Sequence, residues 1–481
     1  MKMRIVINKK PITPTTTLRT VFSITGLVAS FYCVISAINK HGIVGPVFLL
    51  PCMYTLLIWL LPNCNDIRLP GRLTFNMVIF GRYVILPVVY YANQKMSRFA
   101  LNYDYMTYAV VLMLYEMFAL FIVLNRTGYR CKLKIEKYEN NNIDHGFIYM
   151  RLKYGPIIAM LIIAILGVLL YRNQSLVGGI NLLSRNNLAE EVDPASNFVN
   201  VVWATLVVWV YVYFVMQCHE RYLKRKNKKY FTYSLLLTIA IIIVSFISQT
   251  TISRWYTVVT TVTSLYLIMK LYPGNKRSVF LYVVVPAVIL IFIASIYKNT
   301  YYLTTQESNL RTSFFELIDP TSVDTYFGGP VGVNNAIGTK ISNSSIGLHS
   351  IVYDLTKNFP VLNRYIDVEK SVADAYTNYI HRYDQIIPLI GQSSIFFGYL
   401  LSPILTCISI YIFTKTDFIF YTNRKASAYM YAFISVWFAL EIILNLKINA
   451  SWMYNKVFPF AVIFGVTDRM SAVEQSDTSL S

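Results

Sequence analysis

Acidic side chains are scarce in this sequence. It has 24 Asp+Glu against 43 Lys+Arg, and all charged residues together make up only 14% of 481 positions. Soluble domains carry about 25% charged residues, so one or two ordinary soluble domains are excluded. Aromatic residues make up 15% of the chain, which excludes a disordered one. The six cysteines (33, 52, 64, 131, 218 and 407) include no CxxC spacing. They lie in apolar runs or basic loops, so neither a disulfide framework nor a zinc site is indicated. There is no phosphate-binding loop, no GxSxG and no dinucleotide fingerprint.

What is present is apolar sequence. Hydrophobic residues make up 55% and mean hydropathy is +0.48. A helix needs about 20 apolar residues to cross a bilayer. The sequence predicts twelve such spans, at 18–38, 42–62, 73–93, 105–125, 156–172, 198–219, 230–248, 256–272, 278–297, 393–414, 425–444 and 451–468. The expected class is therefore an all-α polytopic membrane protein. The basic start, MKMRIVINKK, precedes an apolar run with no small-residue cleavage site, which reads as a retained first span rather than a signal peptide.

The net charge of +19 then reports orientation rather than nucleic-acid binding. With the N-terminus inside, the inner segments hold 27 Lys+Arg, and the short outer loops together with Arg172 and Lys456 at the outer ends of spans five and twelve hold eight, which favours cytoplasmic N- and C-termini. HERYLKRKNKK at 219–229 is the clearest inner anchor, and 126–155 is a second basic inner segment. Three Asn-x-Ser sequons, at Asn173, Asn343 and Asn449, fall outside and read as chance in an Asn- and Ser-rich chain.

Four regions follow: spans one to nine (1–297), an outer loop (298–392), spans ten to twelve (393–468) and a cytoplasmic tail (469–481). A loop of that length is usually functional. Helical spacing appears in 308–318, with Leu310, Phe314, Leu317 and Ile318, and in 368–383, with Val368, Val372, Tyr376, Tyr379 and Tyr383. Between them, Gly328, Gly329, Pro330 and Gly332 forbid a long helix. An amphipathic, aromatic loop of this kind is expected to lie across the membrane surface. The chain has no internal repeat, which weakens an inverted-repeat transporter reading.

Arg82 and Glu116 are the two clearest mid-span charges, each about 13–14 Å deep at 1.5 Å per residue. Such charges mark a partner or a polar cavity. Two compatible readings stand: an Arg82–Glu116 lock between spans three and four, or Arg82 facing an anionic ligand. Arg254 follows span seven at the outer headgroup level, where it either snorkels or binds a lipid phosphate with its planar fork. Arg311 opens the loop at the same level. His349 is placed to act as a general base or to orient a sugar hydroxyl, against a plain surface histidine. His381, Lys370 and Asp374 share what reads as a solvated helix face. Arg382 and Asp384 sit where the loop re-enters the membrane. The outer loops have no DxD to hold a metal–nucleotide diphosphate, which points away from a nucleotide-sugar donor.

The pattern of twelve spans with a long outer loop between spans nine and ten resembles the bacterial O-antigen ligases and, more closely, the Wzy-type repeat-unit polymerases of surface polysaccharides. FNMVIFGRYVILPVVY resembles their arginine-bearing early span and YFGGPVGVNNAI the Gly-Pro segment of their outer loop. DAYTNYIHRYDQIIPLIGQSSIFFGYLLSPIL resembles the stretch in which that loop returns to span ten. The resemblance implies a GT-C-like, metal-independent membrane glycosyltransferase without a cofactor. It implies undecaprenyl-diphosphate-linked oligosaccharides as substrates, on the extracytoplasmic face of a bacterial plasma membrane. Membrane lipids, a chain-length regulator and a flippase would be its partners, and nucleic acid would not. Arg82, Arg254, Arg311 and Arg382 would hold the diphosphate, with His349 or Asp384 as catalytic base. A ligase moving glycan to another acceptor is the nearest alternative, and a lipid-linked oligosaccharide flippase is the alternative of another class.

Overall fold

A computed structural model describes residues 14–39, 45–61, 68–140, 146–150, 154–172, 194–247, 255–289, 292, 319–357, 359, 370–382 and 385–480. Helix dominates these residues, and no strand occurs among them. That follows from the composition, because only a helix satisfies every backbone group within an apolar segment.

The helices are α1 (Pro14–Asn39), α2 (Leu49–Leu60), α3 (Pro70–Asn93), α4 (Met106–Asn140), α5 (Gly155–Arg172), α6 (Pro194–Arg225), α7 (Lys229–Ile247), α8 (Trp255–Leu271) and α9, which starts at Lys276–Val279. After them come α10 (Pro320–Phe327), α11 (Pro330–Ser342), α12 (Ser350–Thr356), α13 (Val372–Ile380), α14 (Leu389–Leu401), α15 (Ile404–Thr422), α16 (Ala428–Leu440), α17 (Leu446–Trp452) and α18 (Phe458–Leu480). Among the described residues, six helices are long and apolar enough to cross a membrane: Leu18–Asn39, α3, α4, Phe198–Arg225, α7 and α15. Shorter apolar helices include Gly45–Leu60, Gly155–Tyr171, α14 and Ala428–Ile443. On α1, Ile24, Val28, Phe31 and Ile35 recur at helical spacing and face outward. An apolar stripe turned away from the protein suits a lipid solvent. The chain is therefore an all-α membrane protein.

The core gathers where α3 packs on α15 and α16. Asp417 of α15 accepts hydrogen bonds from the backbone amides of Gly71 (3.0 Å) and Arg72 (3.1 Å). These belong to the first turn of α3, where unpaired amides and the positive end of the helix dipole favour a carboxylate. Phe75 of α3 meets Phe413 of α15 with ring centres 5.1 Å apart.

Two expectations need correction. The tenth span, 393–414, is not one helix. Gly398, with φ +77°, breaks α14, and Pro403 precedes α15, so the long helix lies further on at Ile404–Thr422. The segment 298–392, expected to lie across the membrane surface, also packs into the bundle. Helix α11 is buried from Pro330 to Thr339, packed against α4, α13 and α14. Gly328 does end α10, in the left-handed region at φ +57°, but Gly332 sits inside a 13-residue helix. Its missing side chain is a packing device: a Cβ there would lie 2.9 Å from Pro388 Cγ.

Candidate functional site

Helix α3 is interrupted by a π turn, Gly81–Ile85, that carries Arg82. Such turns often mark functional positions. Arg82 is fully buried, and its Nη2 pairs with Glu116 Oε2 at 3.0 Å. Its Nη1 donates to the Ile442 carbonyl at 2.8 Å. Tyr83 donates to the same carboxylate oxygen at 3.0 Å, and Thr406 to the other at 2.9 Å. The lock between α3 and α4 is thus present, and it draws in α15 and the end of α16.

The described loop helices close over this lock. Gly328 sits so near that a Cβ on it would lie 3.5 Å from Arg82 Nη1. Asp324 of α10, also buried, accepts from Tyr90 of α3 at 2.5 Å and from the Val331 amide at 3.4 Å. Burial pushes the Asp324 carboxyl up to about 6, against the lowering effects of Tyr90, the Val331 amide and Arg82. Asp324 therefore anchors the Gly-Gly turn, caps the start of α11 and ties both to α3.

Beside Asp324 lies a cleft lined by Phe99, Gly328, Asn335, Tyr376 and Gln385, among others. Its free space is about 10 Å³, room for about one water. Asn335 donates to the Phe99 carbonyl at 2.8 Å, and Thr325 donates to Gln385 at 3.0 Å. The guanidinium of Arg382 stacks over the Phe99 ring at 4.4 Å. Two cations expected at the site, Arg82 and Arg382, thus each neighbour a residue that lines this cleft, Gly328 and Phe99 respectively.

His349 is exposed and does not line the cleft. Its Nε2 lies 2.9 Å from the Ser345 carbonyl, which can only accept, so Nε2 carries the hydrogen and Nδ1 is the basic nitrogen of the neutral ring. Arg254, Arg311 and Asp384 lie outside the described residues, as do 308–318, Val368, Tyr383 and Asn173. Asn343 lies at the end of α11 and Asn449 is buried, so the latter offers no surface for a glycan.

The face of His381, Lys370 and Asp374 is not simply solvated. Asp374 pairs with Lys447 at 2.8 Å and with Lys357. Against the upward push of burial, these lysines hold its carboxyl below the usual range. Lys370 lies over the Tyr353 ring, and His381 ends α13 in the left-handed region.

Sequence reasoning missed four acids: Asp324, Asp354, Asp417 and Glu441. Asp354 is buried and accepts from Ser371 (2.6 Å) and Gln392 (2.8 Å). Gln392 accepts in turn from the Leu446 amide at 2.7 Å, joining α12, α13, α14 and α17. Glu441 ends α16, buried, and accepts from Ser409. It stands in an expected span, so the rule that singled out Glu116 applies to it equally. Among the described residues, no group of His, Cys, Asp or Glu could hold a metal ion. No protein-family model, curated protein or solved structure matches the chain.

Proposed function

We propose that the chain is a polysaccharide polymerase that joins undecaprenyl-diphosphate-linked repeat units on the outer face of a bacterial plasma membrane. The full proposal has twelve spans in a GT-C-like arrangement, both termini in the cytoplasm, and 298–392 outside as the catalytic loop. The observation that supports it most is the seating of α10 and α11 into the bundle. The loop helices and Phe99 of the α3–α4 connection form a cleft beside Asp324, with Arg82 next to its Gly328 and Arg382 over its Phe99. A transporter with short connecting loops has no need of such a plug.

In the proposed reaction an acceptor sugar hydroxyl attacks the anomeric carbon of the donor glycan. The bond from that carbon to the diphosphate oxygen breaks, and the lipid diphosphate leaves. Arg254 and Arg311 stabilise the charge that grows on it. Arg382 is placed to extend that positive field, while Arg82 is already paired with Glu116. His349 or Asp384 takes the hydroxyl proton. A cleft with room for about one water must widen to admit a sugar, so the loop helices move when substrate binds.

Deletion of the gene with analysis of surface polysaccharide tests the reading. Single repeat units capping the surface acceptor are the expected result. Polymer trapped on the lipid carrier would mean a ligase, and units trapped inside the cell a flippase. Cysteine placed at position 340 should label from outside an intact cell; labelling only after permeabilisation would overturn the topology.

A further inference from the structure

Helix α12 turns its polar side inward and its apolar side outward. Ser350 and Asp354, one turn apart, are fully buried. Leu348, just before the helix, and Val352, on the side away from Asp354, are 61% and 62% exposed. Leu355 continues their line at helical spacing and is half-buried. A surface helix bathed in water does the reverse, with its apolar stripe toward the core. The inward side of α12 is fastened. Asp354 accepts from Ser371 at 2.6 Å, from Gln392 at 2.8 Å and from the Ala373 amide at 3.4 Å, and Ser350 accepts from the Gly347 amide at 3.2 Å. Rolling α12 over to cover Val352 would strip a buried carboxylate of its donors, so the apolar face stays outside.

The neighbours of α12 say what covers that face. The helix packs on α17, and Phe359, just past α12, meets Tyr454 with ring centres 4.9 Å apart. Tyr454 belongs to a π turn, Met453–Val457, that runs directly into α18. On α18, Phe458, Val462 and Val466 recur every four residues and are exposed, an outward apolar stripe like that of α1, and Met453 begins it. The chain at the end of α12 therefore touches the turn from which a lipid-facing stripe starts. The edge of the α12 face is interfacial in character. Tyr353 stands edge-on to His349 at 6.4 Å, and the Lys370 ammonium lies 5.8 Å from the Tyr353 ring centre. Tyrosine and lysine beside an apolar face suit the headgroup level. Three aliphatic side chains are too few for a stable protein interface, which buries about 800 Å² per partner.

We propose that α12 is a membrane-seated helix whose Leu348, Val352 and Leu355 face rests among the phospholipid acyl chains of one leaflet, beside the start of α18. Such a helix sits about 5–10 Å into the boundary between headgroups and acyl chains. Its buried Asp354 then ties the lipid-contacting element to α13 and α14, so the loop is held both by the bundle and by the bilayer. The lipid contact does not depend on the polymerase reading. Under that reading it also sets His349, next to Leu348, at the depth of a lipid diphosphate.

The test uses the full chain in native membranes, with p-benzoylphenylalanine placed at position 348 or 352 and activated by near-ultraviolet light. Its ketone inserts into nearby C–H bonds, and mass spectrometry should find the chain heavier by one phospholipid. A cross-link to another protein chain, or no adduct at either position, overturns the proposal. Hydroxyl-radical labelling of the unmodified protein in phospholipid nanodiscs reads the same face without a substitution. Leu348 and Val352 should stay unoxidised there although the protein itself leaves both exposed, because only lipid shields them. Oxidation of both by radicals from bulk water overturns the proposal. Lipid adducts at position 352 in a protein whose deletion leaves surface polymer intact would keep the membrane-seated helix and remove the polymerase.

Discussion

Replacing Arg82 by leucine would leave Glu116 buried with two hydroxyl donors and no cation. Removing one member of a buried pair costs about 3–5 kcal/mol, because the remaining charge is uncompensated. The Ile442 carbonyl also loses a charged donor, and hydrogen bonds to charged groups contribute about 1.5–3 kcal/mol. Arg82→Leu should therefore be the more damaging single change, since Arg82 in Glu116→Leu keeps the Ile442 carbonyl and the field of Asp324. In the double variant neither charge remains. Its loss should fall short of the sum of the singles by about 0.5–3 kcal/mol, the range found for residues in one network. Reversible unfolding in dodecyl maltoside–SDS micelles, followed by circular dichroism, gives all four corners of the cycle. Losses that add within about 0.5 kcal/mol would refute the coupling and with it the lock. The same double variant separates stability from function. Full polymer from Arg82→Leu with Glu116→Leu would remove Arg82 from the diphosphate site.

Three other outcomes follow from the same geometry. The Asp324 carboxyl is raised to about 6, so between the unfolded carboxylate range and pH 6 the folded protein holds a proton that the unfolded chain has released. Stability from this group falls as pH rises through that window, and Asp324→Asn, which keeps an acceptor for Tyr90, should flatten the dependence of the thermal midpoint between pH 4 and 7. An identical pH profile in the variant would refute the assignment. Gly329→Ala would place a methyl 2.2 Å from Asp324 Oδ1 and 2.3 Å from Leu86 Cδ2, and should cost about 1–3 kcal/mol as an overpacked site; an unchanged melting temperature would contradict the tight turn. His349 is exposed, so His349→Ala should change stability by no more than about 0.5 kcal/mol, while polymer formation falls about 100- to 10,000-fold if it is the base. Normal polymer at the normal rate would pass that role to Asp384.

The helical membrane class was legible because it depends on composition and run length, which no tertiary contact can reverse. The Arg82–Glu116 pair was legible for a related reason. Two charges at matching depth in neighbouring spans have few partners to choose from, and hydrocarbon penalises leaving either alone. The acids Asp324 and Asp354 were not, because each stands in a polar loop where an aspartate is ordinary. Only the folding of α10–α14 onto the bundle buries them. Tyr90 and Asp324 are 234 positions apart, and no local spacing brings them together. The break between α14 and α15 was hidden by hydropathy, which sees one apolar run where Gly398 and Pro403 divide two helices.

That break links the fold to the proposed chemistry. Around it Leu400 is 79% exposed, while from Leu389 to Phe396 the same helix is buried against the loop. Tyr115 of α4 donates to the Leu400 carbonyl at 2.8 Å, so a side chain of a neighbouring helix serves part of the interrupted backbone. Thr406, two residues into α15, binds Glu116. The interruption therefore sits at the level of the Arg82–Glu116 lock, and α14 carries Gln392, the bridge to Asp354 and α17. A helix broken at this point can shift its loop-side half without moving its other half, because no continuous hydrogen-bond ladder joins them. Movement of α14 would carry α11 and Pro388 with it and change the width of the cleft beside Asp324. Gly328 of that cleft lies beside the charged lock and Pro388 of that cleft begins the broken helix, which is the division that a site opening to the proposed membrane-borne glycan requires.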